Sequence, residues 1–203
     1  MMKENFSKLK IAITGGIGSG KSQAANFIKD LGFPVFSCDE IYKEVIATPK
    51  YIEEIQKFFP QCVIDNQIDR KILGKIIFND EASRKIVNQI AHPLILNQLF
   101  KNLEREPSKL VFAEVPLLFE SGHEKYFDIV FIIQRELPKR IESVKGRDGL
   151  SETEILARIQ SQFDYTKIEK MNLQNKKQFF IIENNTSKED LKLSLIQAIN
   201  KLQ

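Results

Sequence analysis

The sequence predicts an α/β fold of three layers, in which helices cover both faces of a five-stranded parallel sheet. Five short runs rich in Ile, Val and Phe are continuously apolar, as buried parallel strands are. Helical patterns separate these runs, and a glycine-rich loop follows the first one. The predicted strands are Leu9–Thr14, Pro34–Ser37, Leu110–Val115, Asp128–Ile133 and Gln178–Glu183.

The loop after the first strand, Gly15 to Ser22, has the pattern G-x-x-x-x-G-K-[ST] of a phosphate-binding loop. Its glycines allow successive backbone N–H groups to point at phosphate oxygens, and the following helix adds its positive end. Lys21 can bridge the β- and γ-phosphates, and the Ser22 hydroxyl can ligate Mg²⁺. The dinucleotide pattern G-x-G-x-x-G fails, because Lys21 stands where its third glycine belongs. We therefore expect a P-loop NTPase fold, with a triphosphate bound by Gly16, Ile17, Gly18, Ser19, Gly20, Lys21 and Ser22.

Three predicted helices have marked ends. Gly32 stands where a glycine should end the helix that follows the phosphate loop. Ser151 and Ser187 each precede an acid by three residues, Glu154 and Asp190, as in a capping box or its Asp variant. These signals predict helices that begin after each serine.

The second and third predicted strands are separated by a long segment, Cys38 to Lys109. A crossover between parallel strands needs only about a dozen residues, and the excess carries several amphipathic helical patterns. We therefore expect a helical insert at about 40–109. Ligands of open α/β sheets bind outside the carboxyl ends of the strands, so the insert is expected to hold the second substrate.

Composition and charge exclude several classes of protein. The chain has 203 residues, 42% of them hydrophobic, which suits one α/β domain with a small insert. A net charge of +3 and an aromatic content of 9% do not favour a nucleic-acid partner. No stretch approaches the roughly 18 apolar residues of a membrane helix, and Cys38 and Cys62 fit no zinc pattern. We expect a soluble, cytoplasmic monomer or weak homo-oligomer with no nucleic-acid or membrane partner.

Asp39 follows the second strand, so we expect it at the same edge of the sheet as the phosphate loop. A carboxylate there can accept a proton from an acceptor hydroxyl or orient it towards the γ-phosphate. Asp is also a favoured N-cap residue, and a helix is predicted to begin near Glu40. The residues alone leave both roles open, and one side chain can fill both.

Glu114 ends the third predicted strand. An acid in this position resembles the Walker B carboxylate, which holds Mg²⁺ directly or through water. It is Glu rather than the more usual Asp, and the alternative is an acid that only hydrogen-bonds the phosphate loop. Ser22 and Glu114 are therefore the candidate metal ligands.

A basic stretch that includes Arg140 and Arg147 predicts a lid at about 136–165. Arginines that close over a transferred phosphoryl group neutralise its charge and exclude water. The alternative for each arginine is a solvated helix face. Arg158 and Gln162 lie one turn apart on the following helix and could face the same site.

Two further polar residues in the predicted insert are candidates with weaker signals. Arg70 can bind a substrate phosphate or pair with its neighbour Asp69. His92 precedes a proline, and no nucleophile is paired with it in the sequence. A histidine in such a setting is more often structural.

Several separated segments together resemble the dephospho-coenzyme A kinases, which catalyse the last step of coenzyme A synthesis. They follow the family's order between about residues 9 and 162. The phosphate loop is common to many kinases, whereas the other segments together are much more specific. The matching segments are Thr14–Ser22, Cys38-Asp39, Asp69-Arg70, His92-Pro93-Leu94-Ile95, Val115-Pro116-Leu117-Leu118-Phe119-Glu120 and Arg147-Asp148-Gly149-Leu150-Ser151.

The resemblance implies ATP-dependent phosphorylation of the ribose 3′-hydroxyl of dephospho-coenzyme A, with Mg²⁺. It makes Asp39 the acceptor-side carboxylate, a catalytic residue alongside Lys21 and Arg147. It also makes Arg140 and Arg147 ATP-phosphate contacts in the lid. Asp39, Arg70 and His92 become the candidate residues for binding the acceptor.

The chain departs from the family's pattern at two places. The family usually has D-A-D where this chain has Ser37-Cys38-Asp39, so only the second acid is present. The last strand usually leads into an N-x-G turn near the adenine, but here the segment Glu183–Thr186 contains no glycine.

The main alternative function is another small-molecule P-loop kinase, such as a nucleoside monophosphate kinase, which would share the loop and lid but would not need the long insert. A regulatory GTPase is a different class, and the chain lacks its D-x-x-G and N-K-x-D motifs.

Overall fold

In the computed structural model, residues 8–168 and 178–202 are described, and the chain divides into two compact units. The first unit contains the chain up to Val35 together with the part that follows from Glu106. The second unit is Phe36–Arg105.

The first unit is built on a five-stranded sheet whose strands lie in the order β2-β5-β1-β6-β7. β1 pairs in parallel with β5 and β6, and β6 pairs in parallel with β7. β2 is an edge strand, and the division between the two units falls within it. The strands are β1 Leu9–Thr14, β2 Val35–Ser37, β5 Leu110–Glu114, β6 Ile129–Gln134 and β7 Gln178–Glu183.

All five predicted strands are therefore confirmed, and their ends differ from the predicted ends by at most one residue. β1 lies at the centre of the sheet, where Ala12 pairs with Ala113 on one side and with Val130 on the other. The carboxyl end of this central strand is Thr14, so the phosphate loop begins at the middle of the sheet edge.

Among the described residues, four α-helices accompany the sheet in the first unit: α1 Lys21–Asp30, α6 Leu137–Asp148, α7 Glu152–Gln160 and α8 Lys188–Asn200. The predicted helix signals are confirmed. Gly32 follows the end of α1 with a φ of +89°, which favours glycine. Ser151 and Ser187 each form a complete capping box, in which the serine accepts from the backbone N–H three residues on and the acid there bonds back.

Apolar side chains from α1, α8 and the strands form one core cluster. Phe112 is fully buried at its centre, edge-to-face with Phe33 at 5.7 Å and with Phe131 at 5.9 Å between ring centroids. Ala12 and Val130, which belong to the strands but not to this cluster, are also fully buried. Both faces of the sheet are thus covered, which explains why its strands are continuously apolar. The cluster includes Ile11, Ile13, Ala24, Ile28, Phe112, Phe131, Ile133, Ile182, Leu191, Leu195 and Ile199.

The second unit packs three helices on a long fourth one, α5. These are α2 Cys38–Val45, α3 Pro49–Phe58, α4 Arg70–Asn79 and α5 Glu81–Arg105. A proline normally ends or kinks a helix. In the structure Pro93 lies inside a helix of 25 residues.

A short antiparallel hairpin in the second unit was not predicted. It joins β3 Val63–Ile64 to β4 Gln67–Ile68. Its two turn residues, Asp65 and Asn66, have φ values of 49° and 58°. Positive φ at both central residues is the geometry of a type I′ turn, for which Asp and Asn are suited. Strands of only two residues carry almost no periodic pattern, so the turn residues alone did not predict the hairpin.

The predicted α/β fold of the P-loop NTPase class is confirmed by the sheet and its flanking helices. No helix within the two described ranges combines the length and the hydropathy that a bilayer crossing requires.

Two leucines of α8 test the packing against the sheet. Leu195 is fully buried in the core cluster, whereas Leu193 is 56% exposed on the same helix. Leu195→Ala should lower the free energy of unfolding by about 2–5 kcal/mol, because it leaves a cavity. Leu193→Ala should lower it by less than about 0.5 kcal/mol. Urea unfolding of both variants measures this, and equal losses would contradict the assigned packing.

Candidate active site

The phosphate loop joins β1 to α1 and is shaped by glycines. Gly18 and Gly20 have φ values of +75° and +98°, in the left-handed region that other residues rarely adopt. A Cβ on Gly18 would also lie 2.6 Å from the backbone oxygen of Arg140. Gly20 is the N-cap of α1. The N–H groups of the loop and the positive end of the helix therefore face the same space beside the loop, as in an anion-binding site.

Lys21 is the first residue of α1 and folds back over the loop. Its Nζ donates to the backbone oxygen of Gly16 at 3.1 Å. The ammonium therefore lies beside the loop, where the sequence pattern predicted it would meet phosphates.

Ser22 and Glu114 contact each other directly. The Ser22 hydroxyl donates to Glu114 Oε1 at 2.7 Å, and Glu114 is 8% exposed. A hydroxyl has one proton and two lone pairs, so Ser22 can keep this bond while its oxygen binds a cation. The pair offers two of the oxygen donors that Mg²⁺ prefers. Within the described residues, no group of three or more His, Cys, Asp or Glu side chains could hold a metal.

The turn after β7 holds the phosphate loop from one side. Asn184 is buried, and its Nδ2 donates to the backbone oxygen of Ser19 at 2.9 Å. The next residue, Asn185, contacts the start of α6, where its Oδ1 accepts from the Glu136 N–H and its backbone oxygen accepts from Lys139 Nζ. This turn, which lacks the family's usual glycine, thus connects the loop to the lid.

Arg140 of α6 contacts the loop from the other side. Its Nε donates to the backbone oxygen of Ile17 at 2.9 Å. A Cβ on Gly16 would meet Nη2 of the same guanidinium, so the bare backbone there admits the arginine. Burial lowers the pKa of Arg140, but a guanidinium remains charged at neutral pH. The structure therefore places this guanidinium beside the loop.

The segment after α7 contributes two more side chains to the loop. Gln162 Oε1 accepts from the Ile17 N–H at 2.7 Å. The Tyr165 hydroxyl lies 3.5 Å from Thr14 Oγ1. Burial raises the pKa of Tyr165 to about 12, so the phenol keeps its proton. The sequence indicated Gln162 but not Tyr165, which lies in no motif and carries no periodic signal.

This segment is anchored by residues that follow β5. Glu120 Oε1 accepts from the Phe163 N–H at 2.9 Å. The ring of Phe119 stacks on Phe163 at 4.6 Å and meets Tyr165 edge-on at 5.9 Å. Phe119 and Glu120 close the P-L-L-F-E stretch, so that stretch positions Gln162 and Tyr165 beside the loop.

A cavity of about 400 Å³ lies beside the loop, within the size range of small-molecule sites. Its lining includes Gly16, Ser19, Arg135 and Arg140. Ser19 Oγ and Arg135 Nε are buried and have no hydrogen-bond partner among the described residues. Buried polar atoms are nearly always satisfied in proteins, so these two favour a polar ligand in the cavity.

Arg147 lies at the other end of α6. Its Nε and Nη2 donate to both carboxylate oxygens of Asp148, and these bonds raise the pKa of Arg147. Arg147 lies seven positions after Arg140, which is about 10 Å along the helix. The structure therefore brings Arg140 to the loop but leaves Arg147 paired with its neighbour.

Three candidate residues belong to the second unit. Asp39 is an exposed residue in the first turn of α2, whose N-cap is Ser37, so the alternative N-cap role is wrong. Asp69 caps α4 by accepting from two backbone N–H groups, and in the described part of the chain it forms no ion pair with Arg70. Burial lowers the pKa of His92, which lies within α5.

The fold and the site define a P-loop kinase: a phosphate loop at the central strand, a Ser–Glu pair and an arginine of α6 beside the loop. A family model described as dephospho-CoA kinase matches residues 9–190. A dephospho-CoA kinase of Thermus thermophilus is 33% identical over 192 residues, which cover 95% of this chain and 91% of that protein. One of Moorella thermoacetica is 39% identical over 163 residues, 77% of each. The chain belongs to the dephospho-CoA kinase family.

This chain is also similar to a solved structure of the same family. The dephospho-CoA kinase from Campylobacter jejuni is 30% identical and superposes with a TM-score of 0.66, over 95% of this chain and 96% of that one.

The bond from Asn184 to the loop can be tested by removing it. Asn184→Ala leaves the Ser19 backbone oxygen without this donor, which should lower the free energy of unfolding by about 1–3 kcal/mol. It should also weaken ATP binding, because the loop loses a support. Urea unfolding and titration with ATP measure the two effects. Asn200→Ala, an exposed change at the end of α8, is the control and should alter neither.

Proposed function

We propose that this protein transfers the γ-phosphoryl group of ATP to the ribose 3′-hydroxyl of dephospho-coenzyme A, giving coenzyme A and ADP. Membership of the dephospho-CoA kinase family supports the acceptor. The observation that best supports phosphoryl transfer is the hydrogen bond from Arg140 to the phosphate loop at Ile17. An arginine beside the loop neutralises charge that develops on the transferred group. The family's setting makes the cytoplasm the expected compartment, and the protein is expected to act as a monomer or weak homo-oligomer.

The donor half of the reaction belongs to the loop residues Gly16, Ile17, Gly18, Ser19, Gly20, Lys21 and Ser22. Their backbone N–H groups would bind the β-phosphate, as phosphate loops do. Lys21 would leave the Gly16 oxygen and bridge the β- and γ-phosphates. Arg140 would remain at the loop and bind the triphosphate.

Ser22 and Glu114 are the residues that would hold Mg²⁺, and their contact of 2.7 Å fits that role. When bound, the ion supplies charge neutralisation on the β- and γ-phosphates. Glu114 is buried beside the Ser22 hydroxyl, so it also fixes the orientation of that hydroxyl.

Asp39 is proposed as the carboxylate that accepts the proton of the 3′-hydroxyl. As that oxygen bonds to the γ-phosphorus, the bond from phosphorus to the β–γ bridging oxygen breaks and ADP leaves. The family motif supports the role of Asp39, and its exposure in the first turn of α2 leaves it accessible to an acceptor.

Three other residues keep proposed roles. Arg147 would contribute to catalysis by contacting the ATP phosphates, which requires it to exchange Asp148 for them. Arg70 is exposed at the start of α4 and would bind a phosphate of the acceptor. His92 is held largely uncharged by burial and would contribute a neutral hydrogen bond to the acceptor.

The proposed reaction is tested with purified protein, ATP, Mg²⁺ and dephospho-coenzyme A. We expect ADP and coenzyme A in equal amounts, measured by a coupled assay and by mass spectrometry. An acceptor that lacks the ribose 3′-hydroxyl should give no product. Turnover with AMP equal to or faster than with dephospho-coenzyme A would reject the acceptor and favour a nucleoside monophosphate kinase.

The role of Asp39 is tested separately by Asp39→Asn, which keeps the shape of the side chain but removes its basicity. We expect kcat to fall about 10²-fold or more, with the free energy of unfolding nearly unchanged. Glu44→Gln removes one exposed negative charge from the same helix and is the matched control. Full activity of Asp39→Asn would show that the carboxylate takes no part in proton transfer.

A further inference from the structure

The Ile17 peptide is held by protein groups on both of its polar atoms. Its N–H donates to Gln162 Oε1 at 2.7 Å, and its oxygen accepts from Arg140 Nε at 2.9 Å. A Cβ on Gly16 would lie 3.3 Å from the same Gln162 oxygen, so the amide lies directly over the loop. Because Ile17 N–H is a donor, the Gln162 amide must turn its oxygen towards it.

In the proposed donor site, the Ile17 N–H is one of the backbone groups that bind phosphate oxygens. A single N–H cannot make a full bond to Gln162 and to a phosphate at the same time. Binding of the triphosphate at Ile17 must therefore displace Gln162 Oε1.

The displaced amide would stay close to the loop, because its neighbours are held. The Phe163 N–H is bound to Glu120 Oε1, and its ring is stacked on Phe119. Tyr165 contacts the start of the loop through Thr14. Rotation about the last side-chain torsion of Gln162, which is broad for an amide, exchanges its oxygen for its nitrogen.

We propose that Gln162 is a triphosphate ligand whose amide switches between two bonds. Its oxygen accepts from the Ile17 N–H, and when a phosphate takes that N–H its nitrogen donates to a phosphate oxygen. The segment that follows α7 thereby stays attached to the loop in both arrangements. This inference rests on the proposed function, since it assumes that ATP occupies the phosphate loop.

The switch requires an amide. A carboxylate of the same shape can accept from the Ile17 N–H, and more strongly because it is charged. It cannot donate to phosphate, and its charge repels the triphosphate. An alanine can make neither bond.

These differences define the experiment, which measures the dissociation constant of MgATP by calorimetry for the wild type, Gln162→Ala and Gln162→Glu. We expect Gln162→Ala to weaken binding several-fold and Gln162→Glu to weaken it about tenfold or more. Gln160→Glu introduces the same charge two residues away, at the exposed end of α7, and should bind MgATP nearly as the wild type does.

The alanine variant decides between the switch and a structural role. If Gln162 only satisfied the Ile17 N–H, it would compete with phosphate for that group. Gln162→Ala would then bind MgATP as tightly as the wild type or more tightly, and this result would overturn the proposal. Equal loss in Gln162→Glu and Gln160→Glu would also overturn it, because the effect would then be general electrostatics. A wild type that binds no MgATP would instead reject the proposed function itself, whereas MgATP binding without transfer to dephospho-coenzyme A would reject only the acceptor.

Discussion

Gly16 and Gly20 of the phosphate loop must lack side chains, and the rest of the site depends on this constraint. A Cβ on Gly16 would meet the guanidinium of Arg140, and one on Gly20 would meet the amide of Asn184. The loop is therefore contacted on two sides by long polar side chains that approach its peptide groups directly. Three distant parts of the chain, α6, the segment after α7 and the turn after β7, converge on these few peptides.

Bonds to the peptide groups of the loop can support its shape both without and with a bound nucleotide. The backbone oxygens of Gly16, Ile17 and Ser19 accept from Lys21, Arg140 and Asn184. Carbonyl oxygens only accept hydrogen bonds and cannot donate to a phosphate. The bonds from Arg140 and Asn184 can therefore persist while N–H groups bind the nucleotide. The Ile17 N–H and the Lys21 ammonium are different, because both are donors that a phosphate could use. In the structure they donate instead to Gln162 and to the Gly16 oxygen. In the arrangement that we propose, a bound triphosphate exchanges this small set of bonds on an otherwise supported loop.

Much of the fold was predictable from the sequence, because its signals are local. Continuous apolar runs marked the strands, and capping serines and Gly32 marked helix ends. The second unit was less predictable. Proline disfavours a continuous helix, yet α5 runs through Pro93, because packing of α5 against three other helices outweighs one lost backbone bond. The hairpin at Asp65 was missed because strands of two residues carry almost no periodic pattern.

The candidate site was predictable where residues act through spacing along the chain, and not where they act through long-range contacts. The loop pattern located Lys21 and Ser22, whereas Tyr165 and Asn184 reach it from more than a hundred residues away. The P-L-L-F-E stretch was recognised only as a resemblance, and the structure supplies its physical reason. Glu120 binds the Phe163 N–H and Phe119 stacks on that ring, so this stretch determines where the segment after α7 meets the loop.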